Sequence, residues 1–448
     1  MTAKLTKKDY LFIGSMLFGI MFGAGNLIFP VFMGQEAGAA VWPAVIGFLL
    51  SAIGFPFLAI VGMALTRSNS VYELASRVSK GYGRFFTILL YLVIGPFFAI
   101  PRLASTSFQI GLVPFVSQEH HQLALAIYSI FFFGLAFLLS RQSGQLLAYV
   151  GKWLNPIFLI VLGVLLTMVV LSPMGSSSQM AIQEAYRISP LAKGFLDGYN
   201  TLDVLAALAF AIVVISALKR LGVTEPKQLA SDMVKSGSIS MVLMAVIYAL
   251  LAYAGATSLG QFPLAANGGD ALAQIAAHYL GTIGNVLLAL IVFFGCLKTA
   301  VGLLTAFSET FAEMFPSISY QSFLIVTTIF PAIFANVGLT NIIAYSIPVL
   351  MFLYPLAIVL VMLALLEKWL KGNSGVYRWT VGFTLLPAIL DGLAASPWNS
   401  ASWIEQLSSL AAAKLPFYTI GMGWVLPALL GLALGVLFHH QQIKKASV

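Results

Sequence analysis

The chain has 448 residues, of which 60% are hydrophobic and only 8% are charged, and its formal net charge is +8. A soluble domain is about a quarter charged, so this composition excludes a water-soluble fold, which would expose too much apolar surface. The basic residues are scattered through loops, a pattern typical of membrane topology signals and not of a nucleic-acid surface. The composition therefore predicts an all-α protein of the lipid bilayer with no nucleic-acid partner.

In chain order, the apolar runs predict about twelve transmembrane helices, since each run approaches the roughly 20 residues that a helix needs to cross a bilayer. We number them spans one to twelve. They cover residues 9–33, 41–65, 85–112, 123–140, 146–172, 195–218, 238–259, 281–306, 321–337, 340–366, 379–395 and 416–438.

The distribution of basic residues predicts the orientation of these spans. If the N-terminus is cytoplasmic, 18 of the 23 Lys and Arg residues fall on inside segments, and only Arg187, Lys193 and Lys414 fall outside. Because positive charge is retained on the cytoplasmic side, both termini are expected to be cytoplasmic. No cleavable signal peptide is apparent.

Two outside loops, 173–194 and 260–280, are the longest. The second contains an Ala-rich stretch from Asp270 to His278 that predicts a short surface helix. This helix is either a lid over an outer vestibule or a plain connector.

Span one contains an interruption, Gly23-Ala24-Gly25-Asn26, followed by Pro30. Glycine destabilises a helix by roughly 1 kcal/mol per residue, and proline cannot donate to the helical ladder. Small residues in a membrane helix are also typical of close helix packing. Packing does not explain Asn26, whose amide needs polar partners.

Span six contains a second interruption, Gly198-Tyr199-Asn200-Thr201-Leu202-Asp203. A turn that precedes the helix on the outside is the alternative to a break within it. Spans one and six are corresponding members of two five-helix halves, about 9–172 and 195–366. Paired interruptions in corresponding helices are typical of inverted-repeat transporters, whose half-helix ends bind substrate and ion.

Five strings carry a resemblance over essentially the whole chain. They are FGAGNLIFP (22–30), GPFFAIPR (95–102), GYNTLD (198–203), GVTEPK (222–227) and CLKTAVGL (296–303). In order and spacing they closely resemble the bacterial branched-chain amino acid:cation symporter family, within the amino acid–polyamine–organocation superfamily. The resemblance implies a LeuT-like five-plus-five inverted repeat with spans one and six broken, import of leucine, isoleucine and valine, and residence in the bacterial cytoplasmic (inner) membrane.

The resemblance also implies the domain organisation and the ligands. Residues 1–395 are expected to form one transporter core that ends with span eleven, and 396–448 to hold span twelve and a cytoplasmic tail. No cofactor is expected, and the coupling ion is H⁺ or Na⁺. By position, the substrate site maps to the two breaks: Gly23, Ala24, Gly25, Asn26, Tyr199, Asn200, Thr201 and Asp203.

One cation site of LeuT-like proteins lies between helices one and eight. Its ligands map to Gly19, Phe22, Gly295, Lys298 and Thr299. Lys298 stands where the pattern has a hydroxyl residue. Its ammonium group could replace the cation, which would favour protons over Na⁺, or it could extend to the membrane surface.

Three further side chains have open roles. Asp203 could accept a hydrogen bond from the substrate ammonium, pair with Lys298 or Arg102, or cap the inner half-helix. Arg102 could equally extend outward to the membrane surface. Tyr199 is a candidate aromatic gate, and a tyrosine at the membrane interface is the alternative.

Other classes of protein fit less well. A membrane-embedded enzyme would need paired carboxylates, a Ser–His set or a metal cluster in the spans, and none is apparent in the sequence. A channel would need a repeated filter, and none is apparent either. A related carrier of the same superfamily with another substrate is the main alternative.

Overall fold

The computed structural model describes residues 5–23, 25–141, 145–223, 225–370 and 372–446, and no strand occurs among them. The described helices of the first half are α1 (Lys7–Met21), α2 (Gly25–Ala37), α3 (Val41–Leu49), α4 (Phe55–Thr66), α5 (Val71–Ala75), α6 (Lys80–Leu92), α7 (Ala99–Gly111), α8 (His121–Arg141) and α9 (Gln145–Leu171).

The described remainder of the chain is also helical. Its helices are α10 (Glu184–Arg187), α11 (Pro190–Asp197), α12 (Asp203–Arg220), α13 (Pro226–Ser258), α14 (Gly268–Met314), α15 (Tyr320–Phe334), α16 (Leu339–Leu365), α17 (Glu367–Leu370), α18 (Ser374–Ala394), α19 (Ser402–Lys414) and α20 (Val425–Ala446).

Each of the twelve predicted spans overlaps these helices, although the helix of span twelve begins at Val425, nine residues after the predicted start. Within the described residues, seven helical stretches are long and apolar enough to cross a membrane, and they contain the second half of span one together with spans two, three, four, seven, eight, nine and ten. Spans five and twelve correspond to two shorter apolar helices, Pro156–Leu171 and Val425–His440. Spans six and eleven fall on α11–α12 and α18.

Both predicted interruptions are real breaks. Span one is divided into α1 and α2, and span six into α11 and α12, which are separated by a 3₁₀ turn at Gly198–Thr201. Span six begins at Pro190, five residues before the predicted start, because its first half-helix is amphipathic and short and its apolar signal is weak.

Each broken span packs on the second span of the opposite half of the chain. The halves of span one pack on α13 of span seven, and the halves of span six pack on α3 and α4 of span two. A Cβ at Gly255 would collide with the Val31 carbonyl oxygen, and one at Gly194 would collide with that of Ala44. Small residues thus let backbones touch, as is common in membrane bundles. This reciprocal packing is what an inverted repeat of spans one and two on spans six and seven produces.

The stretch from Asp270 to His278 is helical, as predicted, but it is not a surface helix. It opens α14, which changes direction at Gly281 (φ 60°, ψ −162°) before entering the bundle. Ala271, Leu272 and Ile275 are fully buried, so this short helix is inserted among the spans. The sequence prediction was wrong on this point because alanine-rich faces pack closely without a strong apolar signal.

Two further features were not predicted. Span three is interrupted at Gly95 (φ −100°, ψ −121°), next to Pro96. An additional helix, α19, lies between spans eleven and twelve and contacts α18.

Candidate functional site

The break in span one is stabilised by its own asparagine. α1 ends at Met21, Phe22 is extended (φ −86°, ψ 104°), and α2 begins at Gly25. Asn26 Oδ1 accepts a hydrogen bond from the Gly23 amide at 2.7 Å. The side chain therefore satisfies a backbone donor that the helix no longer pairs. Ala24, also predicted for the substrate site, lies outside the described residues.

The break in span six depends on one residue with a left-handed backbone. Leu202 has φ 63° and ψ 11°, and α12 starts at the next residue, Asp203. Thr201 Oγ1 donates to the Gly198 carbonyl oxygen at 2.8 Å, which closes the 3₁₀ turn. Asp203 is the first residue of α12 and does not cap it. Its carboxylate lies at a helix N-terminus, where the helix dipole favours negative charge.

Three side chains join the two breaks. Asn26 Nδ2 donates to Asp203 Oδ2 at 2.8 Å, and the Tyr248 hydroxyl donates to the same oxygen at 3.2 Å. Asn26 also contacts the Tyr248 hydroxyl directly. All three are at most 2% exposed. The network fixes α2, α12 and α13 relative to one another.

A central cavity lies against these breaks. Of the predicted substrate residues, Gly23, Gly25, Asn26, Thr201 and Asp203 line it. Tyr199 and Asn200 do not line it: Tyr199 is 2% exposed and stacks on Tyr354 with ring centroids 4.2 Å apart. Five predicted residues that are distant in sequence thus share one cavity.

Arg102 lies at this cavity and not at the membrane surface. It is 4% exposed, and its guanidinium lies 4.8 Å from the centroid of the Phe29 ring. Nη2 lies 3.5 Å from where a Cβ would stand on Gly25, and Nη1 has no hydrogen-bond partner among the described residues. The outward-extended alternative is therefore not what the structure shows. A buried cation faces the N-terminus of α2.

The remaining cavity wall is apolar, and the sequence reasoning did not identify it. Its members come from four spans: Met21, Ile94, Ala99, Leu103, Leu202, Ala206, Phe210 and Leu303. Thr299 is the one predicted cation-site residue that lines this cavity. No signal in the sequence separates these apolar residues from lipid-facing ones, because both kinds of position are hydrophobic.

Four of the predicted cation-site residues share a second cavity. Gly19, Phe22, Gly295 and Lys298 line this cavity, and Gly23 lines both cavities. Lys298 Nζ donates to the Gly19 carbonyl oxygen at 3.4 Å. The ammonium group thus contacts one of the carbonyl groups that the resemblance assigns to a cation. Thr299 Oγ1 donates to the Gly295 carbonyl oxygen at 3.1 Å.

Residues 6–442 match the family model described as branched-chain amino acid transport protein. The chain belongs to this family. It is 45% identical over 429 residues to the branched-chain amino acid permease BrnQ of Lactobacillus delbrueckii subsp. lactis, covering 95% of this chain and 96% of that protein. It is 41% identical over 431 residues to BrnQ of Bacillus subtilis (strain 168), covering 96% and 97%. The chain is thus a member of a family of transport proteins and not of enzymes.

Solved structures agree on the fold of this transport family member. The inward-facing conformation of Mhp1 superposes with a TM-score of 0.62 at 13% identity, covering 97% of this chain and 91% of that one. MhsT in complex with L-phenylalanine gives a TM-score of 0.56 at 13% identity, covering 98% and 99%. These are LeuT-fold transporters, so the predicted LeuT-like fold is confirmed.

Proposed function

We propose that this chain imports leucine, isoleucine and valine by cation-coupled symport, and that the central cavity binds the amino acid. The observation that carries the proposal is the placement of Arg102 and Asp203 on one buried cavity. An amino acid zwitterion has a carboxylate that can pair with Arg102 and an ammonium group that can pair with Asp203. The names of the 45% and 41% identical relatives support branched-chain substrates.

The substrate carboxylate is proposed to bind between Arg102 and α2. Nη1 of Arg102 has no protein partner among the residues described, and Gly25 opens α2 with its backbone amide at the positive end of the helix dipole. Guanidinium groups and helix N-termini both favour carboxylates. Gly25 has no side chain to separate the ligand from this backbone.

The substrate ammonium is proposed to lie near Asp203 and Thr201. Asp203 Oδ2 already accepts hydrogen bonds from Asn26 and Tyr248. A carboxylate offers about four acceptor positions, so the Asp203 carboxylate has further capacity for an ammonium donor. The carboxylate and ammonium ends then engage the two broken spans at once.

The aliphatic side chain is proposed to pack on the apolar wall, which includes Met21, Leu103, Phe210 and Leu303. A charged side chain there would lose its hydration with no partner, at a cost of several kcal/mol. The cavity therefore favours branched aliphatic amino acids over lysine and glutamate. A carrier of the same superfamily with another substrate is the competing function.

Coupling is proposed to be to protons, with Lys298 in place of a bound Na⁺. Support comes from its contact with the Gly19 carbonyl oxygen, which joins α14 to α1. Burial disfavours the charged form of a lysine, so the ammonium can release its proton when its surroundings change. Making and breaking this contact would accompany alternating access.

The chain is proposed to reside in the bacterial cytoplasmic membrane with both termini inside, as the basic residues indicate.

Ligand-induced stabilisation tests the proposed substrates without any assumption about coupling. Purified protein is heated with each amino acid at the same concentration. A ligand that binds only the folded protein raises Tm, so leucine, isoleucine and valine should raise it and lysine and glutamate should not. Equal stabilisation by glutamate would refute the proposed substrate class.

A further inference from the structure

A groove separate from the two cavities described above lies between α7, α8 and α14. The buried residues Ser107 and Gly111 of α7 form its floor, and one face each of α8 and α14 forms its walls. Its volume is about 760 Å³, within the range of roughly 300–1,000 Å³ that small-molecule sites occupy. We call it the α8–α14 groove.

The α8–α14 groove runs along the helix axes. Its lining positions repeat at i, i+3, i+4 and i+7 from Ala124 to Phe131 on α8, and in the same way from Val286 to Phe293 on α14. Seven residues of α-helix rise about 10 Å, and half of the hydrocarbon core of a bilayer is about 15 Å thick. Both walls lie in the first half of their membrane-crossing stretches. The groove therefore has the direction of an acyl chain within one leaflet.

The lining of the groove offers no partner to a polar ligand. Its two hydroxyl groups are already paired, since the Tyr128 hydroxyl lies 2.6 Å from Ser107 Oγ, which donates in turn to the Ala104 carbonyl oxygen at 3.1 Å. No charged side chain of the described residues lines the groove. An amino acid zwitterion would lose its hydration there without compensation. The groove thus suits hydrocarbon and is not a second substrate site.

The groove opens onto a surface that faces lipid. Ile127 and Phe131 on one rim and Leu290 on the other are all more than half exposed, and Ile130, beside the groove, is more exposed still. Large apolar side chains that are exposed on a membrane-crossing helix contact the acyl chains of the bilayer. The groove is therefore a recess that is continuous with the lipid-contacting surface of the bundle.

The deep end of the groove is too narrow for a helix. The centroid of the Phe293 ring on α14 lies 6.3 Å from that of Tyr128 and 6.1 Å from that of Phe131 on α8. A transmembrane helix with its side chains is about 10–12 Å across. A helix of a second copy of the chain therefore cannot follow the groove along its length, whereas a single acyl chain can.

We propose that the α8–α14 groove binds one acyl chain of a membrane phospholipid. α7 and α14 touch at its floor, where a Cβ on Gly111 would lie 3.3 Å from the Cβ of Ala289. The same two helices line the central cavity through Leu103 and Leu303. A bound chain adds dispersion contacts to both helices, so it stabilises the wall of the central cavity from the lipid side.

Photocrosslinking of the full-length protein in lipid nanodiscs tests the site. The probe is phosphatidylethanolamine with a diazirine on one acyl chain, diluted into unlabelled phosphatidylethanolamine and phosphatidylglycerol, and peptide mass spectrometry locates the adducts. Adducts within 124–131 and 286–293 should exceed those on the lipid-facing residues of α15 about tenfold, the ratio that a preference of about 1.4 kcal/mol over bulk lipid produces. An even distribution over these helices would overturn the proposal.

A variant that fills the groove provides the second arm. Ala124→Phe should reduce the groove adducts to the level found on α15. Gly382→Phe is the matched control, since Gly382 is exposed on α18 with nothing within 4 Å of its Cβ position, and it should keep the wild-type pattern. Val286→Trp, at the exposed rim on α14, replaces Ala124→Phe if that variant does not fold. Wild-type adducts in a folded groove variant would overturn the site.

Two further measurements identify the occupant. Soluble glycerophosphoethanolamine, which has the headgroup without acyl chains, should leave the groove adducts unchanged; their loss would show that the acyl chain is not what binds. The adducts should also be equal in nanodiscs that hold one copy and two copies of the protein. Their loss with two copies would assign the groove to a contact between copies and overturn the lipid site. None of these outcomes depends on leucine transport.

Discussion

Asn26 and Asp203 are 177 positions apart in the sequence, yet Asn26 Nδ2 donates to Asp203 Oδ2 at 2.8 Å in a site where both side chains are 2% exposed. Each residue follows the break of its own span. The contact therefore joins the two interrupted helices at the point where both have free backbone groups. If either half-helix moves, this hydrogen bond must break or both half-helices must move together.

Removing this hydrogen bond should reduce leucine transport but leave insertion of the protein into the membrane largely intact. Asn26→Ala leaves the Asp203 carboxylate with one fewer donor and the Gly23 amide without its side-chain partner. Hydrogen bonds to charged groups contribute about 1.5–3 kcal/mol, so we expect initial leucine uptake to fall by about tenfold or more. Uptake is measured in proteoliposomes at equal protein content. Asn26→Asp retains Oδ1 but lacks the Nδ2 donor and places a second carboxyl group beside Asp203, so it should be impaired as well. Leucine uptake at the wild-type rate by a well-inserted Asn26→Ala variant would contradict this role.

Replacing Arg102 should weaken binding of the substrate carboxylate. Arg102→Gln removes the buried guanidinium beside Gly25. Because a charge-assisted hydrogen bond is lost, we expect the apparent affinity for leucine to fall by about 10- to 100-fold. The matched control is Arg84→Gln, an exposed arginine of α6. Equal KM for the Arg102→Gln variant and this control would exclude Arg102 from the binding site.

A bulky side chain at Gly25 should block the cavity. A Cβ there would lie 3.3 Å from the Phe29 ring and 3.5 Å from Arg102 Nη2. Gly25→Leu is therefore expected to reduce uptake to background while leaving membrane insertion intact. Gly163→Leu is the control, since Gly163 is exposed and nothing lies within 4 Å of its Cβ position. Normal uptake by a well-inserted Gly25→Leu variant would remove span one from the site.

The sequence predicted the breaks but not the faces of the helices. Glycines and Asn26 interrupt an apolar pattern visibly, so the division of span one was predictable from local propensity. Met21 and Leu303 line the cavity, but lipid-facing residues of the same helices are equally apolar. Which side of a membrane helix faces the interior is decided by packing between distant spans, and hydropathy does not report it.

The sequence also did not predict how deeply Arg102 is buried or which cavities Lys298 and Thr299 face. Arg102 is buried over Phe29 because α7 turns its polar face to the cavity; from the sequence, extension to the surface was equally compatible. Lys298 and Thr299 are adjacent, and successive residues on a helix differ by about 100° in direction. They consequently face different cavities, although the LeuT-like pattern places them in one site.

Lys298 variants should change the driving ion. Lys298 Nζ contacts the Gly19 carbonyl oxygen at 3.4 Å, so Lys298→Ala removes the contact between α14 and α1. We expect this variant to lose proton-driven uptake. Lys298→Thr supplies the hydroxyl that the LeuT-like pattern has at this position and should confer stimulation by Na⁺. The measurement is leucine uptake in sodium-free buffer with an imposed pH step. If the wild type takes up leucine only when Na⁺ is added, Lys298 does not replace the ion.

The most direct test of the proposed function is competition for uptake of labelled leucine into proteoliposomes. Unlabelled leucine, isoleucine and valine, each in excess, should abolish uptake of the label, because all three fill the same cavity. Lysine and glutamate should leave it unchanged, since burying their charged side chains against Met21, Leu103 and Phe210 is unfavourable. Inhibition by glutamate equal to that by valine, or no leucine uptake under any ion gradient, would contradict the assignment of this cavity to branched-chain amino acids.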